Sequence, residues 1–159
     1  MKTRFLKIIS GMAFATVLSL TVTQVSVFAQ SAQKQQGIEG VWDVRITLVQ
    51  CDTGQAISTG RALNMFIDNG TLTVTDTNFL HGAALGTWRR LHGRSYTAVH
   101  RYFVFKADGS LAGINAVTRD IELSRNADEF TATVTSETFN PADQLISTGC
   151  ATATATRLE

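Results

Sequence analysis

Residues 96–123 read YTAVHRYFVFKADGSLAGINAVTRDIEL. Two runs of alternating side chains flank Lys106-Ala107-Asp108-Gly109-Ser110. A period of two sends successive side chains to opposite faces of an extended strand, and a short Gly-bearing loop joins antiparallel neighbours. The stretch therefore predicts a β-hairpin, Tyr96–Lys106 and Leu111–Ser124. With a three-residue loop and Gly109 left-handed, Phe105 opposes Leu111, Phe103 opposes Gly113, Arg101 opposes Asn115, Val99 opposes Val117 and Thr97 opposes Arg119. A two-residue loop would instead put Asp120 and Glu122 on the face of the two Phe. A slip of one residue inverts every side chain. The three-residue loop gives the more apolar set, which joins Ile121 and Leu123, to the interior. It turns His100, Tyr102, Lys106, Asp120 and Glu122 outward.

The same patterning extends in both directions. Upstream are Gly40–Gln50, with Trp42, Val44, Ile46 and Leu48 on one face, and Gly60–Ile67, with Leu63, Met65 and Ile67 aligned. Asp68-Asn69-Gly70 is a hairpin turn leading into Thr71–Asp76. Thr77 to Ala84 reads as a longer loop able to serve as a lid. Leu85–Leu91 follows and turns at His92-Gly93, which makes Trp88 oppose Thr97 and point inward beside Arg119. Downstream, Asn126 to Asp128 turns into Glu129–Phe139, and Pro141-Ala142-Asp143 into Leu145–Arg157. No long amphipathic helix interrupts them.

Eight strands with short connections predict an all-β fold, an eight-stranded antiparallel up-and-down β-barrel. A two-sheet β-sandwich is the alternative. Closure would remove the edges that long Val- and Thr-rich strands otherwise present, and it would set the last strand beside the first.

The N-terminus carries Lys2, Arg4 and Lys7, then an apolar run from Ile8 to about Val22, then Val27-Phe28-Ala29 with small residues suited to cleavage after Ala29. This is the pattern of a secretory signal peptide over residues 1–29. The run is broken by Ser19, Thr21, Thr23 and Gln24 and is short for a membrane anchor. No Cys stands near the cut to carry a lipid. Residues 30–37 read as a polar disordered leader and residues 38–159 as a single domain. Removing the signal peptide takes away three cations and no acid, leaving 11 basic against 13 acidic side chains. Such a balance lacks the basic footprint of a nucleic-acid binder. The expected location is periplasmic or extracellular.

Cys51 and Cys150 are the only cysteines. In an oxidising compartment an even pair suggests a bridge. In the barrel reading it fastens the seam where the last strand meets the first. A loop of that size contributes about 4–5 kcal/mol in the chain-entropy treatment. Two unpaired buried thiols are the alternative.

The predicted interior holds Trp42, Met65, Trp88, Phe103 and Phe105, and among them Arg101, Asn115 and Arg119. A buried Arg is costly unless paired, and no carboxylate shares its inner face on these three strands. An inward Arg then calls for an acidic ligand group, a cluster of carbonyls or a wet cavity. The other reading has it snorkelling to water at a barrel mouth. His81, His92 and His100 match no metal spacing, and neither a Gly-x-Ser-x-Gly nucleophile motif nor a Gly-rich phosphate loop is present. The sequence thus proposes no catalytic residue, metal or cofactor. Arg89, Arg90 and Arg94 read as a surface ion-pair face or an anion-contacting rim.

Gly40-Val41-Trp42, opening the first strand, resembles the Gly-x-Trp signature of lipocalins and the wider calycin barrels. Thr148 to Thr154 and Gly86-Thr87-Trp88 are similar to exported bacterial lipocalin-like proteins of uncharacterised function. The resemblance spans most of residues 37–158. It implies that Trp42 packs at the closed end against Arg157 and that both are structural. A Thr-Asp-Tyr motif and a C-terminal helix are missing, which favours a trimmed barrel.

The expected function is binding: a small, mostly apolar or amphipathic molecule, with an acidic or carbonyl group, lined by Met65, Trp88, Arg101, Phe103, Phe105, Asn115 and Arg119. A filled barrel that engages partners through outward Tyr96, Tyr102, Ile114 and Phe139 is the alternative. A cyclase or isomerase resembling allene oxide cyclase, a fold similar to this one, ranks behind it. Fold alone does not choose among them.

Overall fold

The computed structural model describes residues 37–158. The expected signal peptide, and all of the expected leader except Gly37, lie outside the described residues. Eight strands follow in chain order: β1 Gly40–Val49, β2 Ala56–Ile67, β3 Thr71–Asp76, β4 Ala84–His92, β5 Ser95–Phe105, β6 Leu111–Leu123, β7 Glu129–Phe139 and β8 Leu145–Arg157. Each pairs antiparallel with the next, and β8 returns to pair with β1 from Trp42↔Arg157 to Val49↔Cys150. The sheet is a closed up-and-down barrel, not a sandwich.

Cys51 and Cys150 are joined by a disulfide across that seam, with their Cα atoms 5.2 Å apart. Their thiols are therefore not free. On β8 the run Ala151-Thr-Ala-Thr-Ala-Thr156 turns every Ala inward and every Thr outward. Small side chains on this wall leave space for large aromatic ones from the others.

One end of the barrel is filled. Trp42, Phe66, Leu72, Ile121 and Phe130 are buried there with Ile38 from the segment before β1. Trp42 meets Phe130 with ring centroids 4.9 Å apart, and Phe66 makes edge contacts with Phe130 and Trp88 at 6.1 Å. The Trp42 indole N–H donates to the Ile38 carbonyl at 2.8 Å. Arg157 covers this floor. Its guanidinium lies 4.2 Å over the Trp42 ring and donates to the carbonyls of Ala127 at 2.8 Å, Gly37 at 2.6 Å and Glu39. Gly40 has a φ of 122°, and a Cβ there would sit 2.8 Å from the Arg157 guanidinium. The glycine of the Gly-x-Trp motif is thus required twice, by the backbone and by the arginine.

Two strands face the opposite way from the sequence expectation. The β5–β6 turn forms as read, with Gly109 left-handed and Phe105 opposite Leu111. The ladder then shifts by one residue, so Val104 and not Phe103 opposes Gly113. The extra residue is Ala112, a β-bulge. Beyond it all of β5 is inverted: Tyr96, Ala98, His100 and Tyr102 point inward, and Val99, Arg101 and Phe103 outward. Gly113 explains the position of the bulge. A Cβ there would lie 2.0 Å from the Phe139 carbonyl, so β6 and β7 approach too closely for any side chain.

On β2 the inward residues are Ala62, Asn64 and Phe66, while Leu63, Met65 and Ile67 face solvent. The strand is apolar on both faces, and alternation does not discriminate between them. Registration against the inward face of β1, with Trp42 opposite Asn64 and Val44 opposite Ala62, does.

Candidate functional site

The other end of the barrel is hollow. A cavity of about 570 Å³ occupies it, bounded by Ile46 and Leu48 of β1, Ser58 to Arg61 of β2, Val74 and Asp76 of β3, residues of β5 to β8 and the β3–β4 connection. That volume lies within the range of small-molecule pockets. Its deeper wall is aliphatic, from Val74, Val117, Val134 and Ala151. Nearer the mouth the wall becomes polar, with Asn115, Ser136, Thr138 and Ser147.

Arg119 reaches this cavity from the middle of β6 and is only 3% exposed. Its Nε and Nη1 have no hydrogen-bond partner. Among the described residues no carboxylate comes within 4.0 Å of it; the pairs of that kind are Arg61–Asp43 outside and His81–Asp76 at the cavity. Burial lowers its pKa to about 10, opposed by the nearby Tyr102 and Asp76. The guanidinium is still charged at neutral pH, so the cavity holds a desolvated cation with no local anion in contact.

His100 and Tyr102 stand on the adjacent strand. His100 is 2% exposed, and its Nδ1 has no partner. Burial pushes its pKa down to about 3, and the Arg119 charge adds to this. The imidazole is therefore neutral across the physiological range. Burial raises the Tyr102 hydroxyl to about 12, with the Asp76 carboxylate contributing, so it keeps its proton. The Tyr102 ring lies 4.6 Å from that of His81 and 6.3 Å from that of His100. Together they form an aromatic wall.

His81 comes from the β3–β4 connection. Its Nδ1 is 2.6 Å from Asp76 and its Nε2 is 3.0 Å from the Asn78 amide nitrogen. The Asn78 amide is oriented by Leu80 N–H, which donates to its oxygen at 3.0 Å. Its nitrogen therefore donates to Nε2, and Nδ1 carries the proton given to Asp76. The connection itself is no loose lid. It is stitched to β5 by Gly82 N–H to the Phe103 carbonyl and Phe105 N–H to the Leu80 carbonyl, each 2.8 Å.

Of the seven residues expected to line a ligand site, Asn115 and Arg119 line this cavity. Trp88 points inward as read, though opposite Ala98 and not Thr97 because β4 is irregular between Arg90 and His92. It packs lower, against Phe66 and Tyr96, with its indole N–H on the Ile67 carbonyl at 2.9 Å. Met65, Arg101, Phe103 and Phe105 do not line it. Met65 is 44% and Phe103 51% exposed, Arg101 faces solvent, and Phe105 lies half-buried beside Phe103. The bulge at Ala112 displaces the three β5 residues; the two-faced β2 displaces Met65. The same inversion brings in His100 and Tyr102, which sequence reasoning placed outside. Gly113, an isolated glycine two residues into a strand, was the signal available for it. Tyr96 is buried and Tyr102 lines the cavity, so the outward patch expected around them does not form.

The architecture is compatible with a lipocalin-like barrel. No protein-family model and no curated protein matches the chain.

Proposed function

We propose that this is an exported binding protein whose open half holds one small amphipathic molecule bearing an acidic group. The observation that carries the reading is Arg119: a charged, 3% exposed guanidinium with unpartnered N–H groups facing a cavity. A buried cation without a counter-ion is unfavourable in the empty protein and becomes favourable once an anion completes it. The aliphatic deeper wall supplies apolar contact. The disulfide fits an oxidising location, and residues 1–29 supply the route there.

Calorimetric titration with decanoate, cinnamate and 4-hydroxycinnamate tests it, beside decanol as a neutral control. At least one carboxylate should bind, and Arg119→Met should weaken it tenfold or more while leaving decanol unchanged. If none of the acids binds the oxidised protein, the reading fails.

A further inference from the structure

The groups left without partners specify more than a charge. This inference rests on the binding reading and deepens it. Arg119 offers the three N–H donors of its Nε and Nη1 and asks for an acceptor with several lone pairs. Asn115 presents the opposite need. Its Nδ2 already donates to Thr138 Oγ1 at 3.3 Å, while its Oδ1 is buried without a donor. The ligand must therefore bring a donor, such as a hydroxyl, to Asn115. His100 Nδ1 can answer either kind of group.

Spacing orders these demands. Asn115 and Arg119 are four residues apart on one face of β6, or about 13 Å along the strand. The reach of the Arg119 side chain takes up part of that span. The occupant is thus a molecule with an anion at one end and a hydroxyl at the other. Between them in register stands His100, opposite Val117, while Tyr102 stands opposite Asn115 with the His81 ring against it. On the other side of β6 from those rings, Ser136 and Thr138 of β7 and Ser147 of β8 line the cavity. A saturated chain would cover Asn115 Oδ1 and His100 Nδ1 without answering either. Each such omission costs roughly ten- to a hundredfold in affinity. A flat ring stacks on the aromatic wall and keeps its edge free for polar contacts.

We propose that the occupant is a hydroxylated aromatic carboxylate, its acid at Arg119, its ring along Tyr102 and its hydroxyl at Asn115.

Titration of the oxidised protein with four probes tests this. They are 4-hydroxycinnamate, cinnamate, decanoate and galacturonate. 4-Hydroxycinnamate should bind tightest, and loss of its hydroxyl in cinnamate should cost tenfold or more. In Asn115→Leu that difference should vanish, whereas Arg119→Met should weaken both cinnamates alike. If decanoate binds as tightly or more tightly, the cavity carries chain acids; the binding reading stands and this inference falls. Equal or tighter binding of galacturonate overturns the aromatic requirement. A cinnamate equal to its hydroxylated form overturns the role given to Asn115. If no acid binds, both readings fall together. The ranking is read on the natural protein, so it decides even if a variant does not fold.

Discussion

Of the arginines on the barrel strands, Arg157 and Arg119 have surroundings that could hardly differ more. Arg157 at the filled end gives its N–H groups to three backbone carbonyls and lays its face on Trp42. In Arg119 of the hollow half, Nε and Nη1 meet no acceptor. Each sits on a strand of the same closed sheet. The first is completed by the chain itself, which folds Gly37 to Gly40 and the β6–β7 turn around it. The second stands near a neutral His100 and a protonated Tyr102, neither of which can neutralise it. A cation completed by its own chain behaves as structure. A cation left incomplete holds folding energy in reserve for whatever completes it.

The same substitution at both positions should therefore have opposite signs, and this is the largest effect expected. Arg157→Met strips three carbonyls of their donor and uncovers Trp42. It should lower stability by about 3 kcal/mol or more. Arg119→Met removes a desolvated charge and adds an apolar side chain to an aliphatic wall. It should raise stability of the empty protein by about 1–2 kcal/mol. Urea unfolding of the two variants beside the natural protein measures both. Two losses of similar size would mean that Arg119 is completed within the protein, and the contrast would collapse.

The filled end was legible in the sequence through the resemblance. Gly40-Val41-Trp42 is a short motif, and the resemblance implied its distant partner Arg157; the Ala-Thr repeat of β8 alternates just as plainly. The seam disulfide followed from closure, since only a closed sheet sets Cys150 next to β1. The hollow end was legible only in part. Asn115 and Arg119 lie on β6, where apolar side chains mark one face clearly. His100 and Tyr102 depend on β5, whose two faces are nearly equal in hydrophobicity: Val99, Phe103 and Phe105 against Tyr96, Ala98 and Val104. Where patterning does not discriminate, register decides, and register was changed by a single residue, Ala112. The cost of an apolar outer face was accepted on β2 as well, where Leu63, Met65 and Ile67 remain exposed. A pairing rule inside a closed barrel is global, and a sequence window cannot contain it.

Acid should sharpen the contrast by a smaller amount. His100 keeps a pKa of about 3 in the folded protein, against an ordinary value near 6.5, because it is buried and faces the Arg119 charge. Tyr102 stays neutral beside it, and Asp76, whose carboxylate acts on both Tyr102 and Arg119, is engaged by His81. Below pH 6.5 the unfolded chain binds a proton at His100 that the folded chain refuses. Stability is therefore full above 6.5 and is lost as pH falls toward 3. One proton corresponds to about 1.4 kcal/mol per pH unit at most. Between pH 6.5 and 5 the loss should reach about 1–2 kcal/mol. His100→Phe keeps a ring in place and should flatten that part of the profile. The filled end holds no such group, so Trp42→Phe should lower the whole curve without changing its slope. An unchanged slope in His100→Phe would place His100 in contact with water.

Asn64 marks the boundary between the two halves and carries the smallest effect. It is fully buried opposite Trp42 on one side and Val74 on the other, and neither its Nδ2 nor its Oδ1 has a partner. Val74 lines the cavity and Trp42 belongs to the filled floor. If Asn64 belongs to the filled end, its amide is a simple cost, because a buried polar group without a hydrogen bond is destabilising. Asn64→Leu has nearly the same size and should then raise stability by about 1 kcal/mol, or the melting temperature by about 4 °C. It should leave ligand titrations untouched, unlike Asn115→Leu. A drop in stability together with weakened binding would mean that the amide reaches into the hollow half. The polar layer that answers a ligand would then extend one tier deeper than Arg119, and the dividing line between structure and site would lie at Phe66 and not above Asn64.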